Sequence, residues 1–322
     1  MNKIIEDQLH QHYPVQGELV PYKGGYQNEV YAMNTKAGEC ILRLSKKDTR
    51  SYDEIEGELA FCQQLSEHGV PLAKPMRSNN NRLIETITHH NEVLYAVAFE
   101  KAPGIKLSYP DYLNDETLFE QLGEVTGKLH TASKKLEPNS LTRPSWKENM
   151  YLKRFNTAIP AEKKAIHRSF YALINELDTM PKDDKTFGLI HGDINVGNFH
   201  YDQGNITLFD FDECQYSWYI EDIAIQLFYT IYVFGDAHKK DRYAKAKQFL
   251  NAFLKGYRRY QSLPNDWKQQ LERFLRIREI ILYVSIHRKW NFAELNAWQS
   301  DYLQDSTRRI EASEAVYEFK TK

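Results

Sequence analysis

Short alternating runs of hydrophobic and polar residues, broken by turn residues, fill the first third of the chain. These runs, which we predict as strands, cover 18–22, 29–34, 39–44, 82–87 and 93–100. Alternation with a period of two is typical of strands with one buried face, and the short connections favour antiparallel pairing. Residues 52–68 repeat instead with a helical period and end at Gly69. This pattern predicts one helix within an antiparallel sheet region.

A helical pattern takes over after Pro103-Gly104 and predicts a mostly helical second part. The predicted helices cover 115–130, 166–177, 221–234, 241–260, 266–289 and 293–315. The exception is the stretch 187–211, in which short apolar runs flank a polar loop. The pattern therefore predicts an α+β protein with a β-rich N-terminal part, 1–102, and a helical C-terminal part, 103–322.

Composition places the chain among ordinary globular proteins. Of its 322 residues, 42% are hydrophobic and 27% are charged, and the formal charge is only −2. No surplus of positive charge draws the chain to nucleic acid or to an anionic membrane. The N-terminus lacks an apolar leader, no apolar run has the length of a membrane span, and the three cysteines form no CxxC pair. We predict a cytoplasmic protein that binds neither nucleic acid nor membrane, and its oligomeric state stays open.

The polar loop within 187–211 holds the strongest candidate for chemistry. An apolar run ends just before Asp193, Asn198 follows five residues later, and Asp210 ends the next apolar run. Mg²⁺ prefers oxygen ligands and usually binds one or two carboxylates plus substrate phosphates, so Asn198 and Asp210 are candidate ligands. Asp193 is a candidate to orient an incoming hydroxyl and accept its proton. Asp193 or Asn198 alone is better explained as a turn former, but the three residues together favour phosphoryl transfer.

The segments HGDINVGNF and LFDFDE strongly resemble the aminoglycoside phosphotransferase and choline kinase superfamily of kinase-like enzymes. The resemblance implies a protein-kinase-like bilobal fold, with a small β-rich nucleotide lobe and a larger helical lobe that carries the catalytic loop and acceptor site. It implies ATP, with GTP as an alternative, and Mg²⁺ as cofactors. In the family pattern Asp193 corresponds to the catalytic aspartate, and Asn198 and Asp210 correspond to the metal ligands.

Two further residues are interpreted as support for this loop. By the resemblance, Asp222 in the segment 219–224 buttresses the catalytic loop; the alternative is an acid in a first helical turn, where the helix dipole favours it. His191, at the end of the apolar run, is interpreted as a structural hydrogen-bonding group, with a role as base as the alternative.

In the N-terminal part, the resemblance points to a phosphate-binding turn and an ion pair. Gly24 and Gly25 match the family's phosphate-covering turn, in which glycine lets backbone N–H groups approach an anion, although Gly-Gly between strands is also an ordinary hairpin turn. Arg43 stands where kinases place the strand lysine that contacts phosphates, and a guanidinium can bind phosphate oxygens bidentately. Its expected partner is Glu58 on the predicted helix, with Glu56 as the competitor.

The segment 97–104 resembles the hinge that joins the two lobes in this family. Backbone groups of Phe99, Glu100 and Ala102 are predicted to hydrogen-bond the adenine, a contact that leaves little trace in side chains. An ordinary interdomain turn at Pro103-Gly104 is the alternative.

These motifs do not specify the phosphate acceptor. Three acidic residues near the loop would suit the amines of an aminoglycoside, and they are Asp212, Glu213 and Glu221. Nearby aromatic residues would either enclose a quaternary ammonium group or fill the core, and they are Tyr216, Trp218, Tyr219, Phe228, Tyr229 and Tyr232.

Three functions are compatible with these features. The first is a Mg²⁺-dependent phosphotransferase that moves the γ-phosphate of ATP to a hydroxyl of a small molecule of the aminoglycoside, choline or homoserine-like class. A second is a protein Ser/Thr kinase of the bacterial stress-kinase type, to which 276–290 is loosely similar. A third, a non-catalytic nucleotide-binding interaction protein, predicts loss of at least one of Asp193, Asn198 and Asp210. All three are present, which argues against the non-catalytic function. The first two functions share a transfer site and differ in whether the acceptor is enclosed or open; of the two, we predict a small-molecule kinase.

Overall fold

Residues 2–22, 28–36, 38–137 and 139–319 are described by the computed structural model. Its helices are α1 Lys3–His12, α2 Tyr52–Glu67, α3 Glu116–Ser133, α4 Met150–Lys153, α5 Phe155–Ala158, α6 Lys164–Asp178, α7 Ile220–Ile231, α8 Lys239–Tyr257, α9 Trp267–Lys289 and α10 Ala297–Ala312. Its strands are β1 Val20–Pro21, β2 Glu29–Thr35, β3 Gly38–Lys46, β4 Pro75–Met76, β5 Glu85–His89, β6 Glu92–Glu100, β7 Phe187–Ile190, β8 Phe199–Asp202, β9 Asn205–Leu208 and β10 Gln215–Trp218. None of the helices in these ranges is long and apolar enough to span a bilayer.

The N-terminal part forms an antiparallel sheet with strand order β1-β2-β3-β6-β4, and β5 pairs with β6. Alternation along β3 and β6 sends residues such as Leu42 to a core shared with α1, whereas Val97 faces Ile55 and Leu59 of α2. Both faces of the sheet are therefore covered by a helix. The predicted α+β class is confirmed, while α1 was not expected, because its short mixed pattern shows no clear period.

Two predicted elements are shorter than expected. The run 18–22 yields only β1, because Pro21 has no N–H with which to continue the ladder. The last predicted helix begins at Ala297 rather than at 293, since the side chain of Asn296 accepts a hydrogen bond from the backbone N–H of Gln299 and caps the helix.

Helix α2 packs into both parts of the chain. One face carries Ile55 and Leu59 against the sheet, and the other carries Phe61, Cys62 and Leu65 into the large core of the helical part. A residue of the loop after α2 also bridges to the last residue of β9. The division into 1–102 and 103–322 stays a prediction, because the two cores meet along this helix.

In the helical part, α3 and α8 cross at close range. A side chain on Gly123 would lie 1.9 Å from the carbonyl oxygen of Phe253, and one on Gly256 would lie 1.9 Å from that of Glu120. The two glycines therefore let the helix backbones touch. Helix α7 packs on α8 and on α9, and residues of α7 and α9 contact the catalytic-loop segment.

The segment 187–218 forms two small antiparallel pairs, β7 with β10 and β8 with β9. The loop between β7 and β8 and the loop between β9 and β10 leave these pairs on the same side. The topology therefore brings the predicted catalytic loop and Asp210 together, facing the N-terminal sheet.

Candidate active site

A cleft of about 620 Å³ lies between the N-terminal sheet, the two loops of the 187–218 segment and one face of α9. The predicted site residues that line it are Arg43, Phe99, Glu100, Ala102, Asp193, Asn198 and Asp210. Glu58, His191 and Asp222 lie behind these lining residues and contact them or their loop. Gly24 and Gly25 lie outside the described residues.

Asp193 is fixed by two amides of its own loop. Its Oδ2 accepts hydrogen bonds from Nδ2 of Asn195 at 3.0 Å and Nδ2 of Asn198 at 2.9 Å. Its Oδ1 contacts the guanidinium of Arg278 on α9. Burial raises the pKa of the Asp193 carboxyl, and the positive charge of Arg278 opposes that rise. Neither Asn195 nor Arg278 was predicted as a site residue from the sequence.

The residues predicted as metal ligands leave oxygens directed to the cleft. Because Asn198 donates its Nδ2 to Asp193, only its Oδ1 remains for a cation. Asp210 has a φ of 65°, an uncommon left-handed conformation for a residue other than glycine. Desolvation by the surrounding protein and the nearby carboxylate of Asp212 raise the pKa of the Asp210 carboxyl well above its usual value. A divalent cation at this point would remove that repulsion, so the residues fit Mg²⁺.

The protein supplies only part of such a coordination shell. Within the described ranges, no three His, Cys, Asp or Glu side chains are grouped closely enough to hold a cation by themselves. Phosphate oxygens and water would complete the shell, as is usual for Mg²⁺ at nucleotide sites.

Asp212 is held by cations that the sequence analysis did not identify. Its side chain lies 3.7 Å from Nη2 of Arg50, which also pairs with Glu213 at 2.8 Å, and its carbonyl oxygen accepts from Arg143. Oδ2 of Asp212 accepts a hydrogen bond from Asn28 at 3.0 Å. Burial raises the pKa of the Asp212 carboxyl, but the nearby arginines outweigh this effect and hold the pKa below its usual value. Asp212 is therefore a charged tether between the sheet and the helical part.

Asp222 lies directly beneath the catalytic loop. Its Oδ2 accepts from the backbone N–H of His191 at 3.0 Å, and its Oδ1 accepts from that of Gly192 at 2.9 Å. The ring of His130 lies 3.2 Å from Oδ2. Burial raises the pKa of the Asp222 carboxyl, but the hydrogen bond and charge of His130 outweigh it, and the pKa is lowered. This geometry favours the interpretation that Asp222 supports the catalytic loop over that of a first-turn acid placed only for the helix dipole.

His191 is fully buried and hydrogen-bonded on both ring nitrogens. Its Nδ1 accepts from the backbone N–H of Asp193 at 3.3 Å, and its Nε2 lies 3.2 Å from the carbonyl oxygen of Phe209. The ring also packs on Phe211 at a centroid distance of 4.3 Å. These contacts favour the structural interpretation over that of a base.

Glu221 lies beside Asp222 in α7 but does not line the cleft, so it offers no charge to an acceptor there. It is buried and accepts hydrogen bonds from Gln215, at 3.1 Å, and from Ser217. Burial raises the pKa of the Glu221 carboxyl to about 7, although the Ser217 hydrogen bond opposes the rise.

We expect Glu221→Gln to change the dependence of stability on pH. A carboxyl whose pKa is higher in the folded than in the unfolded chain makes the free energy of unfolding fall as pH rises between the two values. Gln does not titrate; its amide oxygen can accept from Gln215, and its N–H can donate to the hydroxyl oxygen of Ser217. Between pH 5 and pH 7 the variant should therefore lose about 2 kcal/mol less stability than the unmodified chain. Urea unfolding of both proteins at the two pH values measures this difference. If both proteins lose the same free energy of unfolding between pH 5 and pH 7, Glu221 does not titrate in this range.

Arg43 and Glu58 form a buried, bidentate ion pair. Nη1 and Nη2 of Arg43 lie 2.8 and 2.7 Å from the two carboxylate oxygens of Glu58, and both residues are almost inaccessible to solvent. Glu56 is exposed on the opposite side of α2, so Glu58 is the partner. The guanidinium also lies 5.3 Å from the ring centroid of Phe99, which places the pair against the nucleotide side of the cleft.

The predicted hinge lines the cleft, but part of its backbone is already engaged. The N–H of Glu100 donates to the carbonyl oxygen of Lys74 at 2.8 Å, and the carbonyl oxygen of Ala102 lies 2.9 Å from Nδ1 of His200. Contacts to adenine would therefore have to come from the other backbone groups of 99–102.

The wall opposite the sheet carries aromatic and aliphatic side chains. Of the aromatic residues considered in the sequence, Tyr229 and Tyr232 line the cleft, whereas Trp218, Tyr219 and Phe228 are buried in the core. The cleft also contains residues not predicted as site residues, namely Ile281, Leu282, Ile286, Trp290, Trp298 and Tyr302. Of the acidic candidates, Asp212 and Glu213 line the cleft, and both lie beside the guanidinium of Arg50. The acceptor wall is therefore mainly apolar.

Known proteins resemble this chain in sequence and in structure. A family model described as the phosphotransferase enzyme family matches residues 18–274. Amicoumacin kinase of Bacillus subtilis (strain 168) is 30% identical over 310 residues, which cover 95% of this chain and 91% of that protein. Stress response kinase A of Escherichia coli (strain K12) is 26% identical over 228 residues, 68% of this chain and 66% of that protein.

Solved structures agree with the predicted fold. The amicoumacin kinase hAmiN, in complex with AMP-PNP, Ca²⁺ and Ami, aligns with a TM-score of 0.90 at 30% identity, over 99% of this chain and 96% of that chain. The choline kinase LicA from Streptococcus pneumoniae aligns with a TM-score of 0.62 at 15% identity, over 97% and 98% of the two chains, and shows likeness of fold alone. The predicted protein-kinase-like fold is confirmed.

Proposed function

The chain belongs to the phosphotransferase enzyme family and is an ATP-dependent kinase, and we propose that it transfers the γ-phosphate of ATP to a hydroxyl of a small molecule, with amicoumacin as the first candidate. The family predicted from the motifs is thereby confirmed. The observation that carries the choice of acceptor is the similarity to amicoumacin kinase, which extends over nearly the full length of both chains.

We assign proton transfer to Asp193. The acceptor hydroxyl gives its proton to the carboxylate, the hydroxyl oxygen bonds to the γ-phosphorus, and the bond from that phosphorus to the bridging oxygen breaks to release ADP. Asn198 and Asp210 would hold Mg²⁺, which supplies positive charge beside the phosphate oxygens. His191 and Asp222 keep the loop in place through the contacts described above. Catalysis would then rest mainly on positioning and charge.

On the nucleotide side, Arg43 would contact phosphate oxygens while Glu58 holds its guanidinium in position. Gly24 and Gly25 lie outside the described residues, and the sequence predicts that they cover the phosphates. Backbone groups of 99–102 that are not already hydrogen-bonded would bind the base. ATP is the nucleotide we propose; GTP would fit the same description.

The composition of the opposite wall supports a small acceptor with apolar surface. Tyr229, Tyr232 and Trp298 line the cleft with several aliphatic side chains, and the carboxylates of Asp212 and Glu213 are already paired with Arg50. A polycation such as an aminoglycoside would find little negative charge on this wall. A wall of aromatic and aliphatic side chains suits a small molecule with apolar surface.

A panel of acceptors tests the proposal. The purified chain is incubated with Mg²⁺ and ATP, or GTP, and with amicoumacin, spectinomycin, choline, aminopropanol or a generic protein, and product formation is followed by mass spectrometry and ADP release. We expect a phosphorylated product with amicoumacin above all others. Transfer only to protein would instead favour the stress-kinase alternative, to which the similarity with stress response kinase A points.

A further inference from the structure

Arg278 connects the acceptor wall to the catalytic loop. It lies on α9, its side chain is only 9% exposed, and its Nη2 contacts Oδ1 of Asp193. The same Nη2 lies 2.6 Å from the hydroxyl oxygen of Tyr229, and the guanidinium lies 4.9 Å from the centroid of that ring. Arg278 is therefore held between the proposed base and an aromatic residue of the cleft.

The two oxygens of Asp193 have different surroundings. Oδ2 is taken by amides of its own loop, from Asn195 and Asn198. Oδ1 is turned toward α9, and that is the side on which an acceptor must lie. A hydroxyl that gives its proton to Asp193 therefore needs Oδ1, the oxygen that Arg278 occupies.

The face of α9 that bears Arg278 continues along the cleft as Ile281, Leu282 and Ser285. These positions are three, four and seven residues further on, so they share one face of the helix. A bound acceptor that packs on this face reaches the guanidinium. The Nε of Arg278 is buried and finds no hydrogen-bond acceptor among the residues that the structure describes, so the guanidinium is not fully satisfied where it lies.

We propose that Arg278 guards Asp193: while no acceptor is bound, its guanidinium occupies Oδ1 and keeps the carboxylate from activating water, and the acceptor hydroxyl takes that place on binding. The inference rests on the proposed function. In the reaction that the guard prevents, a water oxygen bonds to the γ-phosphorus, a water proton passes to Asp193, and the bond to the bridging oxygen of ADP breaks. Arg278 thus suppresses hydrolysis of ATP while no acceptor is bound and allows phosphoryl transfer once the acceptor hydroxyl has displaced it.

The test compares ATP hydrolysis without acceptor to phosphoryl transfer in the same preparations. We expect Arg278→Met to raise the ratio of hydrolysis to transfer about tenfold, the effect of removing one charge-assisted hydrogen bond. Arg278→Lys keeps the charge but not the planar donor group, so its ratio should lie between those of the unmodified chain and Arg278→Met. Arg276→Met is the matched control, because Arg276 is on the same helix but pairs with Glu176 at 3.3 Å, and its ratio should not change.

The outcomes separate a guard from a structural residue. If hydrolysis and transfer fall in parallel in Arg278→Met, the proposal is wrong, because loss of structure lowers both rates together. Should that variant not fold, Tyr229→Phe loosens the same guanidinium by removing one hydroxyl, and an unchanged hydrolysis rate there would equally overturn the guard. If the proposed function itself is wrong, the unmodified chain transfers phosphate to no acceptor in the panel. That outcome is distinct from a failure of the proposal about Arg278.

Discussion

Replacing Asp193 with Asn should abolish phosphoryl transfer while leaving the fold and nucleotide binding intact. Asn has nearly the same shape but cannot accept the hydroxyl proton, and loss of a general base lowers the rate by about 10²–10⁴-fold. The Asn oxygen can still accept from Asn195 and Asn198, which hold Oδ2 in the unmodified chain. Steady-state measurement with ATP, Mg²⁺ and the acceptor should show the fall in kcat, with a KM for ATP that changes little.

Stability gives this prediction a second readout. Burial raises the pKa of the Asp193 carboxyl and Arg278 opposes the rise. Loss of the charge therefore removes a desolvation cost but also removes the carboxylate partner of the buried Arg278 guanidinium. Because these two effects oppose each other, we expect Asp193→Asn to lower the free energy of unfolding by less than about 3 kcal/mol, which is what loss of one partner of a buried pair costs. The control is Asp202→Asn, an exposed carboxylate at the end of β8, for which activity and stability should both match the unmodified chain. Transfer by Asp193→Asn at the normal rate would remove Asp193 from the mechanism.

The catalytic loop could be predicted because its chemistry is local. Asp193 and Asn198 are five residues apart in one loop, and the hydrogen bond between their side chains follows from that spacing. Glu58 was preferred to Glu56 on the family resemblance, and the helical period agrees with that choice: Glu58 lies three residues after Ile55 and one before Leu59, on the buried face of α2. Helical period and loop spacing are readable without knowing how helices pack.

Contacts made by distant elements could not be predicted. Arg278 meets Asp193 across 85 residues of sequence, and Arg143 meets Asp212 across 69. Nothing in the local pattern of α9 says which of its arginines faces the cleft, because that depends on how α9 packs on α7. The same limit applies to the aromatic residues of α7, which is buried all round except near Tyr229, so periodicity could not separate core from cleft.

Breaking the buried ion pair of Arg43 and Glu58 should have the second large effect, on both stability and ATP binding. Both side chains are removed from water, and each carboxylate oxygen accepts from a different guanidinium nitrogen. Nearby Asp210 and Asp212 also attract the guanidinium. Burial disfavours the charge of Arg43, but Glu58 outweighs this and keeps the pKa of the guanidinium above its usual value. Loss of Glu58 would leave a buried cation free to turn toward the carboxylates of the cleft.

We therefore expect Glu58→Gln to lower the free energy of unfolding by about 3 kcal/mol, the size of effect seen when one partner of a buried pair is removed. Gln preserves the volume, so the loss measures charge and hydrogen bonding rather than a cavity. Because Arg43 would turn from its position, the KM for ATP should rise by about tenfold as well. Urea unfolding and ATP titration measure the two effects, and Glu56→Gln, exposed on the same helix, should change stability by less than about 0.5 kcal/mol. A loss of stability with an unchanged KM would show that the pair holds α2 to the sheet but does not position Arg43 for the nucleotide.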